Sequence, residues 1–415
     1  MSTSAILFEN ATLIDGLSDE ARPVAAVLVE GDRVTEISDT PIASSVARRI
    51  DLGGRTLMPG LIDCHTHVTV TQIAQAAQAL LPDSLIAARA SVIMRGQLMR
   101  GFTTIRDAGG ADGGLKRAVE DGLFLGPRLV ICGQALSQSG GHCDYRAPFD
   151  PRGAEWLTRR LGSIGRVCDG VAEVRKAVRE EVRGGASFIK IMANGGISTP
   201  TDPIQFLQFS REELCAIVEE ATNAQGYVAA HVYTDEAINR VLDCGVTSIE
   251  HASLIEPATA RKMVELGAIA VPTLVVYEAL VAEGKTFGFP DYALSKIGDM
   301  ADKGARTLEV LHEAGVPMAY GTDCGGELHK YQSDEFVLRG RVLPAMSVIK
   351  SATSVAAKLI RMDGQVGCIA PGAFADLIVV DGDPVADLTV LTGQGRFMPA
   401  IMKSGTFVKN DLPKQ

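Results

Sequence analysis

Two histidines, His65 and His67, are separated by one residue at the end of an apolar stretch of the sequence. If the stretch is a β-strand, both imidazoles lie on one face, because side chains alternate along a strand. Two adjacent imidazoles can bind one metal ion, and two satisfied core histidines are the alternative. The pair by itself leaves both interpretations open.

Three further potential ligands, His231, His251 and Asp323, end other apolar stretches. In a parallel barrel the C-terminal ends of the strands meet at one mouth, where active sites lie. Strand eight neighbours strand one in a closed barrel, so Asp323 is expected beside His65 and His67. Four histidines and one aspartate suffice for one zinc with spare ligands, or for two zincs that need a bridge.

Lys190 places an ammonium group within an apolar strand, at 188–192. A core ion pair or a side chain extending to water is one explanation. Chemical modification is the other, because burial lowers a lysine pKa and the neutral amine can add carbon dioxide. The resulting carbamate is an anionic bidentate ligand that can bridge two metals. The sequence allows both interpretations.

The middle of the chain repeats a pattern of an apolar strand, a polar or glycine-rich loop and an amphipathic helix. Eight such units in about 300 residues predict a (β/α)8 TIM barrel. A doubly wound sheet would need a glycine-rich phosphate loop after the first strand, and residues 59–67 do not provide one. The predicted strands are 57–64, 103–106, 129–133, 188–192, 227–231, 248–251, 268–273 and 318–322, and the predicted helices are 83–100, 171–184, 211–225, 234–244, 257–266 and 292–314.

Both chain ends differ from the middle, since short β-like runs alternate there with turns. The run at 375–380 predicts a buried strand, and residues 400–403 and 406–408 predict a hairpin around Ser404 and Gly405. We therefore predict that residues 1–57 and 364–415 form one small β-sandwich domain, and that residues 58–363 form the barrel.

The composition of the chain limits the kinds of partner and the cellular location that can be expected. The net charge is −10, from 40 basic and 50 acidic residues, and the basic residues are scattered, which predicts no nucleic-acid or membrane partner. The first 15 residues do not have the pattern of an export signal. The eight cysteines include no CxxC pair, which is typical of reduced, mostly buried thiols. A cytoplasmic protein is expected.

Three stretches of the chain together resemble the amidohydrolase superfamily: residues 59–63 before the histidine pair, 198–203 after the lysine strand, and 321–323 before 327–329. The resemblance covers nearly the whole chain. Within the superfamily it is similar to the binuclear zinc branch, which includes Xaa-Pro and Xaa-Arg/Lys dipeptidases, ochratoxin-type carboxyamidases and imidazolonepropionase-like proteins.

The resemblance implies two zinc ions, although histidine and carboxylate sites also accept Mn, Co or Fe. His65 and His67 would hold one metal with Asp323, His231 and His251 would hold the other, and Lys190 carboxylated by CO2 would bridge them. A metal-bridging hydroxide would attack the amide, with Asp323 as general acid and base. A homo-oligomer, by resemblance an octamer, is also expected.

The substrate expected from the resemblance is a small N-acyl amino acid or a dipeptide. The alternatives are a cyclic amide, for which the imidazolonepropionase type is expected to use one metal and no Lys190, or a lactone, phosphotriester or phenylurea on the same metal pair. Some superfamily members lose their ligands and survive as assembly proteins, and the complete set of potential ligands in this chain argues against that class.

Weaker candidates surround the predicted mouth. His142 and Tyr233 are predicted to contact the substrate, with a structural histidine and a packed loop tyrosine as the alternatives. His329 is predicted to line the pocket. The segment 149–170, with four arginines, is interpreted either as a lid that recognises anions or as a solvated basic surface. Cys143 stands where relatives usually have glycine, and Cys324 is interpreted as structural.

Part of the high glycine content has a predicted location. The chain has 43 glycines, and paired glycines at 109–110, 140–141, 195–196 and 325–326 follow predicted strands two, three, four and eight. These pairs therefore predict tight loops around the mouth of the barrel.

Overall fold

The computed structural model describes residues 5–45, 47–199, 201–289 and 291–413. Its strands are β1 (Ala5–Leu13), β2 (Arg22–Glu30), β3 (Arg33–Ser38), β4 (Arg48–Asp51), β5 (Thr56–Pro59), β6 (Leu61–Thr66), β7 (Phe102–Asp107), β8 (Arg128–Ile131), β9 (Ala135–Ser137), β10 (Gly165–Val167), β11 (Ile189–Met192), β12 (Val228–Thr234), β13 (Ser248–Leu254), β14 (Ile269–Val271), β15 (Leu377–Val380), β16 (Ala400–Lys403) and β17 (Thr406–Asn410).

The α-helices are α1 (Gln75–Gln78), α2 (Asp83–Met99), α3 (Gly113–Glu120), α4 (Val171–Arg183), α5 (Arg211–Asn223), α6 (Asp235–Asp243), α7 (Pro257–Glu265), α8 (Val275–Glu283), α9 (Asp291–Ala314), α10 (Glu335–Gly340), α11 (Ala345–Ser351) and α12 (Ser354–Leu359). Short 3-10 segments lie at Ala154–Leu157, Gly326–Asp334, Leu388–Leu391 and Gly393–Gly395.

The central strands close into a parallel barrel of the TIM type. β6, β7 and β8 pair in that order, and β11, β12, β13 and β14 form a second parallel series. The two series meet where the Ser187 amide donates to the Ile131 carbonyl at 2.8 Å. On the other side, residues 318–322 lie between β14 and β6, since Met318 bridges Ala270 and the Cys64 amide donates to the Tyr320 carbonyl at 2.7 Å.

Two of the predicted barrel strands differ from the structure. The eighth, 318–322, fills its place in the barrel but does not form a continuous ladder with either neighbour. The first, 57–64, is two strands: β5 pairs with β1 and β15, whereas β6 begins at Leu61 and pairs with β7. The chain passes from one sheet to the other at Gly60, where a side chain would collide with Thr103. An apolar pattern alone does not show that consecutive residues belong to different sheets.

Strands from both chain ends share one eight-stranded sheet, in the order β17-β16-β15-β5-β1-β2-β3 with β4 also paired to β1. The predicted hairpin is confirmed as β16 and β17. The β5–β15 pairing joins residue 57 to residue 379, so the sheet brings together segments more than 300 positions apart. Its apolar side packs around Leu13, Val27 and Leu377.

The six predicted helices are present with ends that agree within two residues. α5 begins with a capping box, in which Ser210 accepts from the Glu213 amide and the Glu213 carboxylate accepts from the Ser210 amide. The helix α8 was not predicted, because the apolar run through 268–282 has no helical periodicity. The run contains β14, then Pro272, then most of a helix that is buried on most sides.

Two findings concern membrane-spanning helices and the state of the cysteines. Among the described residues, no helix is both long enough and apolar enough to cross a membrane. All eight cysteines fall within the described ranges and are free thiols, and seven of them are buried, with Cys215 exposed.

Candidate active site

Six side chains converge at the C-terminal mouth of the barrel. We refer to them as the ligand cluster. β6 supplies His65 and, one residue beyond its end, His67; β11, β12 and β13 supply one residue each; and the extended segment 318–322 leads into the last. The parallel register places neighbouring strands level with one another, so that His231 pairs with Met192 on one side and with Glu250 on the other. The members of the ligand cluster are His65, His67, Lys190, His231, His251 and Asp323.

The backbone is unusual at two of these positions. His251 and Asp323 have φ angles of +68° and +54°, in the left-handed region that non-glycine residues rarely adopt. Simple alternation would point Glu250 and His251 to opposite sides of β13. The left-handed turn at His251, continued at Ala252 with φ +54°, lets both side chains face the barrel interior. Backbone strain of this kind clusters at functional sites.

His65, His67 and Asp323 form a compact group. The Asp323 Oδ1 atom lies 3.1 Å from His67 Nε2 and 3.5 Å from His65 Nε2. One potential ligand atom from each residue lies within 4.8 Å of the other two, a spacing that suits a metal ion. The predicted meeting of strands one and eight is therefore present in the structure.

His231 and His251 form the second group. His231 Nδ1 lies 3.0 Å from His251 Nε2, and the two rings have centroids 4.7 Å apart. The His251 ring is also 4.8 Å from the His65 ring, which places the two groups side by side. His231 Nε2 is buried and has no hydrogen-bond partner among the described residues.

Lys190 lies in the wall of the same cavity and is 1% exposed. Its Nζ atom is buried without a hydrogen-bond partner among the described residues. Burial lowers its pKa below the usual value, although Glu250 and Asp323 act in the opposite direction. A buried ammonium without hydrogen bonds is costly, so this environment shifts the protonation equilibrium of Lys190 toward the neutral amine.

The pKa shifts of the histidines and of Asp323 indicate the protonation states of the ligand cluster. Burial, reinforced by Lys190, lowers the pKa of His65 to about 4, so its ring is neutral near pH 7. Burial raises the pKa of Asp323, but the adjacent His65 and His67 outweigh it and hold the carboxyl pKa below its usual range. Burial also lowers the pKa of His231 and His251, whereas at His67 the adjacent Asp323 outweighs burial and raises the pKa. The cluster therefore combines three imidazoles that favour the neutral form with an ionised carboxylate, and neutral imidazole and ionised carboxylate are the forms that bind divalent metals.

The ligand cluster forms the floor of a cavity of about 730 Å³, including the part open to solvent. Its other walls are mostly apolar and come from the loops after the strands and from α8. The apolar wall residues are Val70, Ile73, Ile164, Met192, Ile197, Val276, Leu280, Phe289 and Leu328. Apolar walls around a few polar groups are typical of small-molecule sites.

His142 and Tyr233 lie in this cavity, as their predicted substrate role requires. The His142 ring stacks on His231 with centroids 4.5 Å apart, and its Nδ1 lies 2.9 Å from Thr199 Oγ1 and 3.2 Å from Asp202 Oδ2. The Tyr233 ring lies against both His231 and His251.

Other predicted residues lie elsewhere. Among the described residues, His329 is buried in the segment Gly326–Asp334 but does not line the cavity, which its neighbour Leu328 does. A direct substrate contact by His329 therefore has no support in the geometry. Cys143 is buried between Gly165 and the cavity wall, and Cys324 is buried with Val275 and Leu338.

Arginines of the segment 149–170 form ion pairs with residues of the barrel helices. Arg166 pairs with Glu180 and Glu181 at 2.7 and 3.2 Å, and Arg160 pairs with Asp83 at 3.1 Å. Part of the segment is the strand β10, which pairs with β9. These ion pairs favour a structural role for the arginines over recognition of an anionic substrate.

Sequence analysis missed several polar residues that support the site. Glu250 accepts from His65 Nδ1 at 2.7 Å and pairs with Arg106, and all three are buried. Asp63 accepts from the His65 amide and from Thr322 Oγ1 at 3.0 and 2.7 Å, which joins the first and eighth strands. The signal for Glu250 and Asp63 is the same as for Lys190, a charged residue within an apolar strand.

A TIM-type barrel with this group of histidines and an aspartate at its C-terminal mouth defines a class of metal-dependent hydrolases. The model of the amidohydrolase family matches residues 56–406. The chain belongs to the amidohydrolase family.

Known relatives agree with this assignment. The chain is 32% identical over 371 residues to ochratoxinase from Aspergillus niger, covering 85% of this chain and 75% of that protein. A crystal structure described as an amidohydrolase is 47% identical, with a TM-score of 0.97, and the match covers 99% of this chain and 100% of the other. A prolidase crystallised with N-methylphosphonate-L-proline is 44% identical, with a TM-score of 0.96 and coverage of 98% and 100%. The protein is thus a metal-dependent hydrolase of amide bonds.

Proposed function

We propose that the protein hydrolyses the amide bond of small N-acyl amino acids or dipeptides at a two-metal site formed by the ligand cluster. The observation that carries this proposal is Lys190. Its Nζ atom is buried among four histidines and an aspartate, and it has no hydrogen-bond partner among the described residues. A carbamate formed on this nitrogen would satisfy it and supply the bridging anion that two metals need.

The chemistry of Lys190 suits this modification. Burial shifts the protonation equilibrium toward the neutral amine, whose lone pair can attack CO2. A nitrogen–carbon bond forms, one proton leaves to solvent, and the product is a carbamate with one negative charge. Among the histidines of the ligand cluster that charge would balance part of the charge of two divalent ions. A one-metal cyclic-amide hydrolase would not need a lysine at this position.

Two divalent ions in the cluster would lower the pKa of a water molecule and polarise the scissile carbonyl. Zinc is the proposed metal. Asp323 remains ionised because the adjacent histidines hold its pKa down, so it can accept a proton from the attacking water. The same carboxyl group can then protonate the leaving nitrogen, which needs a proton to depart as an amine.

His142 and Tyr233 are proposed to hold the substrate. Thr199 and Asp202 engage His142 Nδ1, which leaves Nε2 for a polar group of the substrate. Tyr233 brings a hydroxyl group into the same cavity. Two relatives support this substrate class: one is named an ochratoxinase, and the other is a prolidase crystallised with a proline derivative.

The test is a library of N-acyl amino acids and dipeptides, incubated with the zinc-loaded protein and assayed for the released amine. We expect hydrolysis of several members by the wild-type protein and a loss on the order of 10³-fold or more in Lys190→Met. The control is Lys350→Met, because Lys350 pairs with Asp19 on the protein surface. No hydrolysis of any amide by the metal-loaded wild type would refute the proposal.

Further expectations about the whole protein remain proposals. We propose that the terminal sheet is the small β-sandwich domain, with residues 1–57 and 364–415, attached to a barrel of residues 58–363. The pairing of β5 with β15 supports it. Location in the cytoplasm and assembly as a homo-oligomer, by resemblance an octamer, stay predictions.

A further inference from the structure

A glutamate and an arginine are buried inside the barrel next to the ligand cluster. Glu250 on β13 and Arg106 on β7 are both 0% exposed. Arg106 Nη2 lies 2.8 Å from both carboxylate oxygens of Glu250. Ser248 Oγ donates to Oε1 at 2.5 Å, and His65 Nδ1 lies 2.7 Å from Oε2. Each oxygen therefore has two hydrogen-bonding neighbours.

These contacts determine where the hydrogen lies in the His65–Glu250 hydrogen bond. A carboxylate beside a guanidinium is ionised and can only accept, so Nδ1 of His65 must donate. A neutral imidazole carries one hydrogen, so Nε2 of His65 holds a free lone pair. That atom is the one that faces Asp323, at 3.5 Å. Glu250 thus keeps His65 in the tautomer that can bind a metal through Nε2.

Arg106 in turn fixes Glu250. Its Nε donates to the Cys64 carbonyl at 2.5 Å, and its Nη1 donates to Ser248 Oγ at 3.0 Å. The guanidinium is therefore anchored to β6 and β13 as well as to its own strand. Because the positive charge is buried with Glu250, neither charge is left uncompensated.

The other three histidines of the ligand cluster lack this arrangement. His67 Nδ1 faces the Gly109 carbonyl at 3.0 Å, and His251 Nδ1 faces Thr273 Oγ1 at 2.8 Å. His231 Nδ1 faces His251. Within the described parts of the chain, His65 is the one histidine of the four whose Nδ1 meets a carboxylate. A carboxylate on that nitrogen makes the imidazole a stronger ligand.

We propose that Glu250, held by Arg106, is a positioning residue that fixes the tautomer of His65 and tightens metal binding at the His65–His67 side of the cluster. This inference rests on the proposed function, because it assumes that the ligand cluster binds metal.

The test compares Glu250→Gln with a matched variant, Glu335→Gln. Glu335 is also 0% exposed and pairs with a buried arginine, Arg339, at 2.8 Å, but it bonds the amides of Leu274 and Val275 and, among the described residues, no member of the ligand cluster. Both variants replace a buried carboxyl group beside an arginine with an amide. The readouts are zinc affinity, zinc release to a chelator, and the rise in melting temperature on adding zinc.

We expect Glu250→Gln to lower zinc affinity about 10–100-fold and to reduce the thermal shift, with Glu335→Gln unchanged in both. Equal weakening of zinc binding in both variants would mean a purely structural role and would overturn the inference, as would wild-type affinity in Glu250→Gln. If the wild type itself binds no zinc, the proposed function fails first, which is a distinguishable result.

A second measurement needs no variant. Nitrogen-15 NMR of histidine-labelled wild-type protein, prepared without metal at neutral pH, should show His65 protonated at Nδ1 and bare at Nε2. The opposite tautomer would overturn the inference even if Glu250→Gln does not fold.

Discussion

Asp323 is the residue on which the proposed proton transfers depend. Its carboxylate lies within 3.1 Å of His67 Nε2, and its backbone is held in the left-handed region. In the proposed mechanism it is both a metal ligand and a proton carrier. An amide oxygen still coordinates a metal weakly, but an amide does not accept a proton, so asparagine would keep part of the first role and lose the second.

We predict that Asp323→Asn keeps much of its metal and loses about 10²–10⁴-fold in kcat. The loss follows from the missing general base. Metal content and steady-state kinetics, measured on the same preparation, test this prediction. An Asn variant with near wild-type kcat would show that Asp323 is not the proton carrier.

Gly196 is a second residue with a specific steric role. A Cβ atom built on Gly196 would lie 1.8 Å from two atoms of the His142 ring. Any larger residue must therefore displace His142 from its stacked position on His231. Gly196 belongs to the glycine pair 195–196 predicted at the mouth of the barrel, and the absence of a side chain there leaves room for the His142 ring.

We predict that Gly196→Ala lowers kcat/KM by about 10²-fold, because small displacements of positioning groups have effects of that size. The matched control is Gly298→Ala in α9, where a Cβ atom would meet open space. If His142 has no role in substrate binding, Gly196→Ala will fold and react like Gly298→Ala.

At the scale of elements, the helix α9 is joined to the loop that holds His142. Lys296 Nζ donates to the carbonyl oxygens of Gly196 and Thr199, both at 2.9 Å, and lies 3.4 Å from that of Asp202. Hydrogen bonds from charged groups contribute about 1.5–3 kcal/mol each. One side chain thus holds the loop after β11 against α9.

We predict that Lys296→Met raises KM about tenfold and speeds amide hydrogen exchange in residues 194–203, because the loop loses these bonds. Lys285→Met is the control, since Lys285 is exposed and its contact with Asp291 is long, at 3.8 Å. Unchanged exchange in the loop of Lys296→Met would show that other contacts hold it.

The sequence predicted the strands and helices that have clear periodicity. It also predicted all six members of the ligand cluster, because five of them end apolar strands and the sixth, Lys190, is a charged residue within one. It did not predict α8, whose residues are apolar on most faces, or the division at Gly60, which depends on pairing with β15 far along the chain. It also missed Glu250. Alternation pointed that residue away from the site, and the left-handed backbone of His251, which brings both side chains inward, has no signal in the sequence.

At the scale of the whole molecule, the terminal sheet and the barrel contact each other through polar groups. Lys403 at the end of β16 donates to the Gly126 carbonyl at 2.7 Å, and Arg128 reaches Ser404 at 3.1 Å. Burial, with the nearby Arg128, lowers the pKa of Lys403 to about 8.

This shift predicts how stability depends on pH. In the unfolded chain a lysine has a pKa of about 10.4, so between about pH 8 and 10.4 the unfolded state binds more protons at this site than the folded state. The free energy of unfolding of the wild type should therefore rise with pH in that window relative to Lys403→Met. Chemical denaturation at several pH values measures it, and parallel profiles for the two proteins would contradict it.

The central claim is that the ligand cluster binds two divalent metals and that the protein uses them to hydrolyse amides. The most direct measurement is the metal content of the purified, active protein by elemental analysis after dialysis against metal-free buffer. We predict about two divalent ions per chain, falling to fewer than one in Lys190→Met. A wild-type protein that hydrolyses amides while retaining no metal would contradict the account.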